Sequence, residues 1–265
     1  MINALVSSYK SGDVIGLTLK QLIECPAISK ILVADGPTRT SAKTHPFCDD
    51  ITVKSVVESL PPDKVHYEHT KNLLNQPEKC NSVLKHVSSD CSWILVVDSD
   101  EVYHEDALLA LDQFLKETDK DRFYIRTIDL FPDFLHRIEI GDYKPRVYRY
   151  FEDCHCATQH DDCHQWVDSR QHKKSSSYRG CYHTPEDIRF HHLNGIRAGH
   201  YELIPRKLGQ PLGKLPDGWE PGRITWVDEE TVVWKGGGKK IRSKVHTYDF
   251  EKLPKSMREH GKITL

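Results

Sequence analysis

The chain contains little of what carries a protein into or across a membrane. Its 265 residues include no apolar run that approaches the roughly 20 residues of a membrane-spanning helix. The N-terminal stretch MINALVSSYK has neither a charged leader nor a cleavage site, so we expect no signal peptide and a cytoplasmic protein. The formal net charge is only −2, which argues against a protein devoted wholly to nucleic-acid binding. What remains is a polar globular chain, long enough for one large domain or for one domain with an elaborated second half.

Cysteine is concentrated in one segment and does not form an obvious disulfide framework. Four of the eight cysteines lie between Cys154 and Cys181, among several histidines and aspartates. In a cytoplasmic chain such residues are more often thiols or metal ligands than disulfides, so a structural Zn²⁺ site is one interpretation of residues 151–183. The spacing fits no zinc-finger pattern, and free thiols with solvated histidines are the other interpretation.

The stretch WILVVDSDE, residues 93–101, carries the strongest signal. Its first five residues are apolar without alternation, which is typical of a strand buried on both faces. Asp98, Asp100 and Glu101 follow at the carboxyl end of that strand, where ligands bind in α/β sheets. Two aspartates separated by one small residue can direct their oxygens at one hard divalent cation. The other interpretation is an acidic turn that caps the next helix.

Strands and helices alternate through the first half of the chain. We predict strands at residues 2–6, 30–34, 65–69 and 93–97, and helices at residues 17–23, 53–60, 77–86 and 104–115. This order favours an α/β fold with a mostly parallel sheet flanked by helices. After about residue 119 the pattern changes to short strands, at 122–129, 146–150 and 188–193, and to a hairpin of 224–227 with 231–234. We therefore divide the chain into residues 1–120 and residues 121–265.

Several short motifs occur at the predicted strand ends. In chain order they are Ser7-Ser8-Tyr9, Asp35-Gly36-Pro37-Thr38, Lys79-Cys80-Asn81 and Asp98-Ser99-Asp100-Glu101. Their order resembles the GT-A glycosyltransferases, most closely those of the family 2 type. A looser match to one branch of that family continues through Pro145-Arg146-Val147-Tyr148-Arg149, His160-Asp161 and His191-His192. The chain departs from the family pattern with Ala34 in place of an acid, Pro37 in place of Ser, and Asp161 in place of Glu.

The resemblance implies a GT-A type, Rossmann-like fold and a metal-dependent glycosyltransferase. Such an enzyme moves a sugar from a nucleoside diphosphate sugar to an acceptor hydroxyl, here with Mn²⁺ or Mg²⁺. Residues 1–120 would then be the donor half, and residues 121–265 the acceptor half with its Cys/His-rich segment.

The resemblance also implies residue roles. The implied nucleotide contacts are Ser7, Tyr9, Asp35, Lys79, Asp98 and Arg146, with Arg149 as a further cation for the phosphates. The implied metal ligands are Asp98, Asp100 and His192 or His191. Asp161 or the adjacent Asp162 would be the base of an inverting reaction, with Glu186 and Asp187 as further candidates.

Each assignment has a simpler alternative. Lys79 can be a solvated helix residue, and Arg146 and Arg149 can form surface ion pairs. Adjacent histidines on a strand point to opposite faces, so at most one of His191 and His192 can face a metal. Residues 231–265 hold nine Lys or Arg against three Asp or Glu, which indicates a solvated face or a surface for an acidic acceptor, nucleic acid or an anionic membrane.

Two rival functions stay open, as does the acceptor. A nucleotidyltransferase would need a Gly-rich basic loop after the first strand, and residues 7–12 hold one glycine. A zinc-stabilised nucleic-acid-binding protein would use the Cys/His segment and the basic tail. The acceptor could be a glycan, a lipid-linked glycan, a protein or a modified nucleic acid.

Overall fold

A computed structural model describes residues 1–9, 11–12, 14–37, 52–69, 76–130, 136–138, 143–157, 165–167, 182–193, 224–226, 231–236 and 239–264. Within these residues, no helix is both long enough and apolar enough to span a membrane.

The first half of the chain alternates strands and helices as predicted. Its elements are β1 (Ile2–Ser8), α1 (Ile15–Glu24), β2 (Ile28–Asp35), α2 (Val53–Glu58), β3 (Val65–His69), α3 (Gln76–Leu84), β4 (Trp93–Asp98), β5 (Glu101–Tyr103) and α4 (Glu105–Glu117). Strands β3-β2-β1-β4 lie side by side in that order and are all parallel. The predicted α/β fold, with a sheet flanked by helices, is confirmed.

The short strand β5 was not predicted, and it changes the role of the acidic segment. The sequence left open that residues 98–101 cap the next helix. The structure instead places β5 between the acids and α4, and the His104 side chain accepts a hydrogen bond from the Asp106 backbone N–H at the start of that helix. The carboxylates of Asp98 and Asp100 are therefore not the helix cap.

Most of the second half of the chain extends the same sheet, mainly with antiparallel strands, while residues 155–157 and 165–167 form a separate two-stranded sheet. Its elements are β6 (Arg122–Leu130), β7 (His136–Ile138), β8 (Tyr143–Arg149), β9 (His155–Ala157), β10 (Gln165–Val167), β11 (Tyr182–His183), β12 (Arg189–His192), β13 (Ile224–Trp226), β14 (Thr231–Gly236), β15 (Lys239–Thr247) and α5 (Lys255–Thr264). The main path of the sheet is β13-β14-β15-β7-β6-β8-β4-β1-β2-β3, and β12 lies between β5 and β6. Strands β13 and β14 form the predicted hairpin. The assignment of the two halves to donor and acceptor stays a prediction.

The central strand β4 is buried on both faces, as its unbroken apolar run predicted. Leu95 and Val97 pack with helices α1 and α4 on one face of the sheet. Ile94 and Val96 pack on the other face with Cys80 and Val83 of α3. Because both faces are covered, only the strand ends of this part of the sheet are left for polar chemistry.

A third apolar cluster includes residues of β5 and β6 and the residue that follows β12. The C-terminal residues Tyr248, Leu253 and Met257 pack there against Val102 and Leu193, among others. The prediction that the basic tail is a solvated face is thus correct only in part. Lys252 and Lys255 are exposed, but the same segment buries an apolar side that anchors it to the sheet.

Candidate active site

The polar ends of three parallel strands meet at one edge of the sheet. Ser7 of β1 lies in register between Ala34 of β2 and Asp98 of β4, and Ser8 lies beside Asp35. The motifs that the sequence separates by tens of residues are therefore neighbours at this carboxyl edge, as expected for a parallel sheet.

Glu101 and Asp98 share one buried cation. The Arg146 guanidinium donates to Glu101 through Nε at 2.9 Å and through Nη2 at 2.6 Å, and Nη2 also reaches Asp98 Oδ2 at 2.5 Å. Burial alone would lower the pKa of Arg146, but Asp98 and Glu101 outweigh it and raise this pKa. Lys144 Nζ adds a further positive charge at 3.3 Å from Glu101 Oε1. The surface ion pair considered for Arg146 is thus a buried network.

Arg149 does not join this edge. It pairs in register with Trp93 at the opposite end of β4, where its guanidinium binds Asp121 and stacks over the Trp93 ring. Strand residues three apart point to opposite faces and lie about 10 Å apart along the strand. The expectation that Arg149 joins Arg146 at the phosphates is therefore wrong, and its ion-pair alternative is correct.

His192 faces Asp100 and is oriented by a carboxylate that the sequence reasoning missed. Its Nδ1 lies 2.7 Å from Asp129 Oδ1, and its Nε2 lies 3.8 Å from Asp100 Oδ1. Burial lowers the pKa of His192, and so does Lys144, but Asp100 and Asp129 together raise it above the ordinary value. The available signal for Asp129 was a carboxylate at the end of the alternating stretch 122–129.

His191 lies on the other face of β12. Its Nε2 is 2.9 Å from the Tyr248 hydroxyl, and burial lowers its pKa to about 3. Of the two adjacent histidines, the structure brings only His192 to Asp100. This follows from the alternation of side chains along a strand.

Asp100 and His192 could together provide two ligands for a divalent cation, and within the described residues no third metal-ligating side chain joins them. The separation of 3.8 Å between their ligand atoms is too long for a hydrogen bond, yet it suits two ligands that each lie about 2.1 Å from one ion. Asp129 holds the ring from its far side, as carboxylates commonly do for metal-binding histidines. Asp98 already pairs with Arg146, so Asp100 and His192 are the residues best placed to hold the ion, and Asp98 borders them.

Asp35 combines a satisfied oxygen with an unsatisfied one. Its Oδ2 accepts a hydrogen bond from the Tyr67 hydroxyl at 2.9 Å and lies 2.9 Å from His69 Nδ1. Its Oδ1 is buried without a hydrogen-bond partner among the described residues, and so is the hydroxyl of Ser8 in the adjacent register position. Because a buried unpaired oxygen is costly, this edge is prepared to accept a donor from a ligand.

Lys79 ties two strand ends together. It is only 2% exposed, and its Nζ donates to the backbone carbonyl oxygens of Ser8 at 2.9 Å and Gly36 at 3.3 Å. Burial lowers the pKa of Lys79, although Asp35 and Asp98 act in the opposite direction. The interpretation as a solvated helix residue is therefore wrong.

The neighbouring residues of the Lys79 and Ser7 motifs are structural. Asn81 binds the Cys156 backbone twice, accepting from its N–H at 2.7 Å and donating to its carbonyl at 2.8 Å, which fixes β9 to α3. Ser99 donates to the Ser11 hydroxyl at 2.7 Å, so the loop after β1 is held against the acidic turn. Ser7 is buried and Tyr9 half-buried at the same edge.

The predicted bases lie mostly outside the described residues. His160, Asp161 and Asp162 belong to the part of the chain about which the structure says nothing. Glu186 and Asp187 are described, and both are exposed in the turn before β12, where Glu186 lies 3.5 Å from Arg126.

The structure describes residues 151–157, 165–167 and 182–183 of the Cys/His segment. Cys154 is half-buried, His155 exposed and Cys156 buried. Within the described residues, neither these side chains nor His183 belongs to a group of three metal-ligating side chains. Cys163, His164, His172 and Cys181 lie outside the described residues, so the structural Zn²⁺ site stays a prediction.

No protein-family model and no curated protein sequence matches this chain. Among solved structures, S. aureus TarS 1-349 in complex with UDP-GlcNAc matches 50% of this chain and 36% of its own, with 19% identity and a TM-score of 0.38. S. aureus TarS 1-349 in a further crystal structure matches 56% of this chain and 46% of its own, with 18% identity and a TM-score of 0.40. A 4-diphosphocytidyl-2C-methyl-D-erythritol synthase from Anaerococcus prevotii matches 56% of this chain and 71% of its own, with 14% identity and a TM-score of 0.37.

This chain spans less than half the length of the TarS structures described here. At such identities and TM-scores the comparisons describe a partial overlap of folds and assign no activity.

Proposed function

We propose that this protein is a metal-dependent glycosyltransferase that takes its sugar from a nucleoside diphosphate sugar. One observation carries the proposal: His192, oriented by Asp129, faces Asp100 at the edge where Asp35 Oδ1 and the Ser8 hydroxyl have no hydrogen-bond partner among the described residues. The proposed ion site and the proposed nucleotide site thus lie along the same edge of the sheet, where the strand-end motifs meet.

The donor nucleotide is bound at the ends of β1, β2 and β4. Asp35 Oδ1 accepts a hydrogen bond from the base or the ribose, and Asp98 borders the ribose and the ion. Ser7 and Tyr9 line the same edge. Lys79, Arg146 and Lys144 supply positive charge near the diphosphate, although Lys79 and Arg146 are also needed to hold the strand ends.

Asp100 and His192 hold the cation in this proposal. A bound Mn²⁺ or Mg²⁺ would supply charge neutralisation for the leaving diphosphate. The mixture of imidazole and carboxylate ligands suits Mn²⁺ better than Mg²⁺. Asp129 is a positioning residue, because it fixes the tautomer and direction of the His192 ring.

Asp161 or Asp162 deprotonates the acceptor hydroxyl, so that the sugar is transferred with inversion. This part of the proposal is supported by the family resemblance at His160-Asp161. Exchange of either aspartate for asparagine should lower transfer by roughly 100-fold or more, the scale of general-base catalysis, while donor affinity stays unchanged. Equal losses of donor affinity and transfer would assign that aspartate to donor binding or to folding.

The nucleotide proposal is tested by thermal shift of the full chain with UDP, GDP, CDP and dTDP, each with and without Mn²⁺. One nucleoside diphosphate should raise Tm in a Mn²⁺-dependent way, because a ligand of the native state stabilises it. Asp100→Asn should abolish the Mn²⁺ dependence of the Tm shift. Asp35→Ala should weaken the binding of the nucleotide by about 1–3 kcal/mol, the cost of a charged hydrogen bond.

Asp119→Asn is the matched control, since Asp119 is exposed in the loop after α4 and should change neither response. Turnover is then measured as release of the free nucleoside diphosphate from its sugar. Release of pyrophosphate from a nucleoside triphosphate would indicate a nucleotidyltransferase instead. If no nucleotide of either kind shifts Tm, the proposal is wrong.

A further inference from the structure

A second group of metal-ligating side chains lies at the far edge of the sheet. His66 and Glu68 are on β3, which ends the described sheet path, and His86 follows α3. One ligand atom from each of the three lies within 4.8 Å of the others, and all three side chains are half-buried. Because neighbouring strands are about 4.8 Å apart, β3 lies about 14 Å from β4 and the acidic turn.

The distances within this group are those of metal ligands and not of hydrogen bonds. Glu68 Oε2 lies 4.0 Å from His66 Nε2 and 3.8 Å from His86 Nε2, both beyond hydrogen-bond length. Ligand atoms that each lie about 2.1 Å from a tetrahedral zinc ion are roughly 3.4 Å apart. A shift of about half an ångström would bring the Glu68 oxygen to that spacing from each of the two nitrogens.

An unpaired nitrogen points independently to a ligand. His66 Nε2 is inaccessible to solvent and has no hydrogen-bond partner among the described residues. A buried nitrogen without a partner costs free energy that an ion would recover.

We propose that His66, Glu68 and His86 form a site for a borderline divalent metal ion, Zn²⁺ in the first instance, with a fourth position left to water. Two imidazoles and a carboxylate suit Zn²⁺ better than Mn²⁺ or Mg²⁺, so this site and the proposed ion site at Asp100 differ in metal preference. The inference does not depend on the proposed glycosyltransferase function.

The site would brace the helix that carries Lys79. Glu68 and His66 belong to the sheet, whereas His86 follows directly on α3, so one ion would link the edge strand to the end of that helix. The ion must displace two existing contacts. The His66 and His86 rings lie 3.6 Å apart between centroids, and Lys85 Nζ lies 3.4 Å from Glu68 Oε2.

Substitution of Lys85 is the most discriminating test of this site. Its side chain is 64% exposed and can turn into water, so it competes with the metal for Glu68 without being fixed there. Lys30 also contributes positive charge near His66. Lys85→Ala should therefore tighten Zn²⁺ binding. If Lys85 and Glu68 formed only a surface ion pair and no metal site, the substitution would not increase the affinity for Zn²⁺.

The experiment uses the full chain, stripped with EDTA and titrated with ZnCl₂ against a chromophoric chelator. His66→Ala with His86→Ala should remove one bound Zn²⁺ per chain, and Glu68→Gln should weaken that site at least tenfold, the lower end of what even indirect partners of metal sites cost. His155→Ala is the control for zinc bound by the Cys/His segment and should leave the His66 site unchanged. Anomalous scattering from a zinc-soaked crystal should place an ion between the three side chains.

The proposal is overturned if the double variant binds as many Zn²⁺ ions as the wild type, or if no anomalous peak lies at Glu68. It is also overturned if neither Lys85→Ala nor Glu68→Gln changes the affinity for Zn²⁺. Circular dichroism in metal-free buffer shows that each variant is folded, which these half-buried substitutions should allow.

Discussion

At the residue scale, the acidic strand end depends on one guanidinium. Glu101 is 0% exposed, and a carboxylate buried to this degree is stable only with a partner of opposite charge. Arg146 supplies two hydrogen bonds to Glu101 and one to Asp98. The interaction of Arg146 with Glu101 therefore fixes the direction of the strand end from which Asp98 and Asp100 project.

Removing that cation should destabilise the protein strongly. Arg146→Met removes two hydrogen bonds from the buried Glu101 and leaves it Lys144 as its remaining charged partner among the described residues, so we expect a loss of about 3–5 kcal/mol in the free energy of unfolding, measured by urea denaturation. Arg126→Met is the control, since the ion pair of Arg126 with Glu186 lies at the surface, and it should cost at most about 1 kcal/mol. Equal effects of the two substitutions would contradict the assigned role of Arg146.

Substitution of Asp129 tests the proposed metal site without changing its proposed ligands, Asp100 and His192. Asp129→Asn keeps the shape of the side chain but removes the charge that orients His192, so Mn²⁺ affinity should fall about 10- to 100-fold. Calorimetric titration with Mn²⁺ measures this directly. Asp121→Asn, which removes a carboxylate at the opposite end of β4, should leave Mn²⁺ affinity as in the wild type; a matching loss there would mean that the effect is not specific to His192.

At the element scale, the turn after β2 sets the geometry of the sheet edge at which we propose that the nucleotide binds. Gly36 has a φ of 139°, its N–H donates to the Ser8 carbonyl at 3.1 Å, and its own carbonyl accepts from Lys79. This conformation favours glycine, because a side chain would clash with the backbone. A short turn thus connects two strand ends and the buried lysine.

Two glycine substitutions should change stability in opposite directions. Gly36→Ala forces a side chain into a strained backbone conformation and should cost about 1–3 kcal/mol. Gly16→Ala lies inside α1, where an added Cβ meets only Val56 Cγ1 at an ordinary 3.7 Å, so it should stabilise by up to about 1 kcal/mol through helix propensity. Thermal and urea unfolding measure both, and a stabilising Gly36→Ala would contradict the turn geometry.

At the scale of the whole molecule, the C-terminal segment supports the site from behind. Tyr248 meets His191 on the face of β12 that is opposite to His192, and Leu253 and Met257 fill the same apolar cluster. Helix α5 also contacts α1 through the ion pair of Lys20 with Glu259. The last described residues of the chain therefore help to position a strand of the candidate site.

The contribution of Met257 to this packing can be measured as a change in the free energy of unfolding. Met257→Ala empties a fully buried position and should cost about 2–5 kcal/mol in the free energy of unfolding. Lys255→Ala, on an exposed position of the same helix, should stay within about 0.5 kcal/mol. If both substitutions were neutral in urea denaturation, α5 would not be docked as described.

Much of the architecture could be predicted because its signals are local. The strands and helices of the first half follow from apolar runs and periodicity, and the parallel sheet follows from their alternation. Strand β5 and helix α5 were missed, because one is only three residues long and the other has an overall polar sequence. The α5 sequence KSMREHGKIT has only two apolar side chains, Met257 and Ile263, and only tertiary packing tells that Met257 is buried.

By itself, the sequence determined which residues end the central strands, namely Ser7 and Ser8, Asp35, and Asp98 to Glu101, since strand ends are set by where the apolar runs stop. Tertiary structure decided what those residues do next to one another. It turned His192 and not His191 toward Asp100, engaged Arg146 with Glu101, buried Lys79 between two carbonyl groups and supplied Asp129 from a distant strand. These outcomes depend on register and on side-chain direction across strands that are far apart in the chain, and no local pattern encodes either.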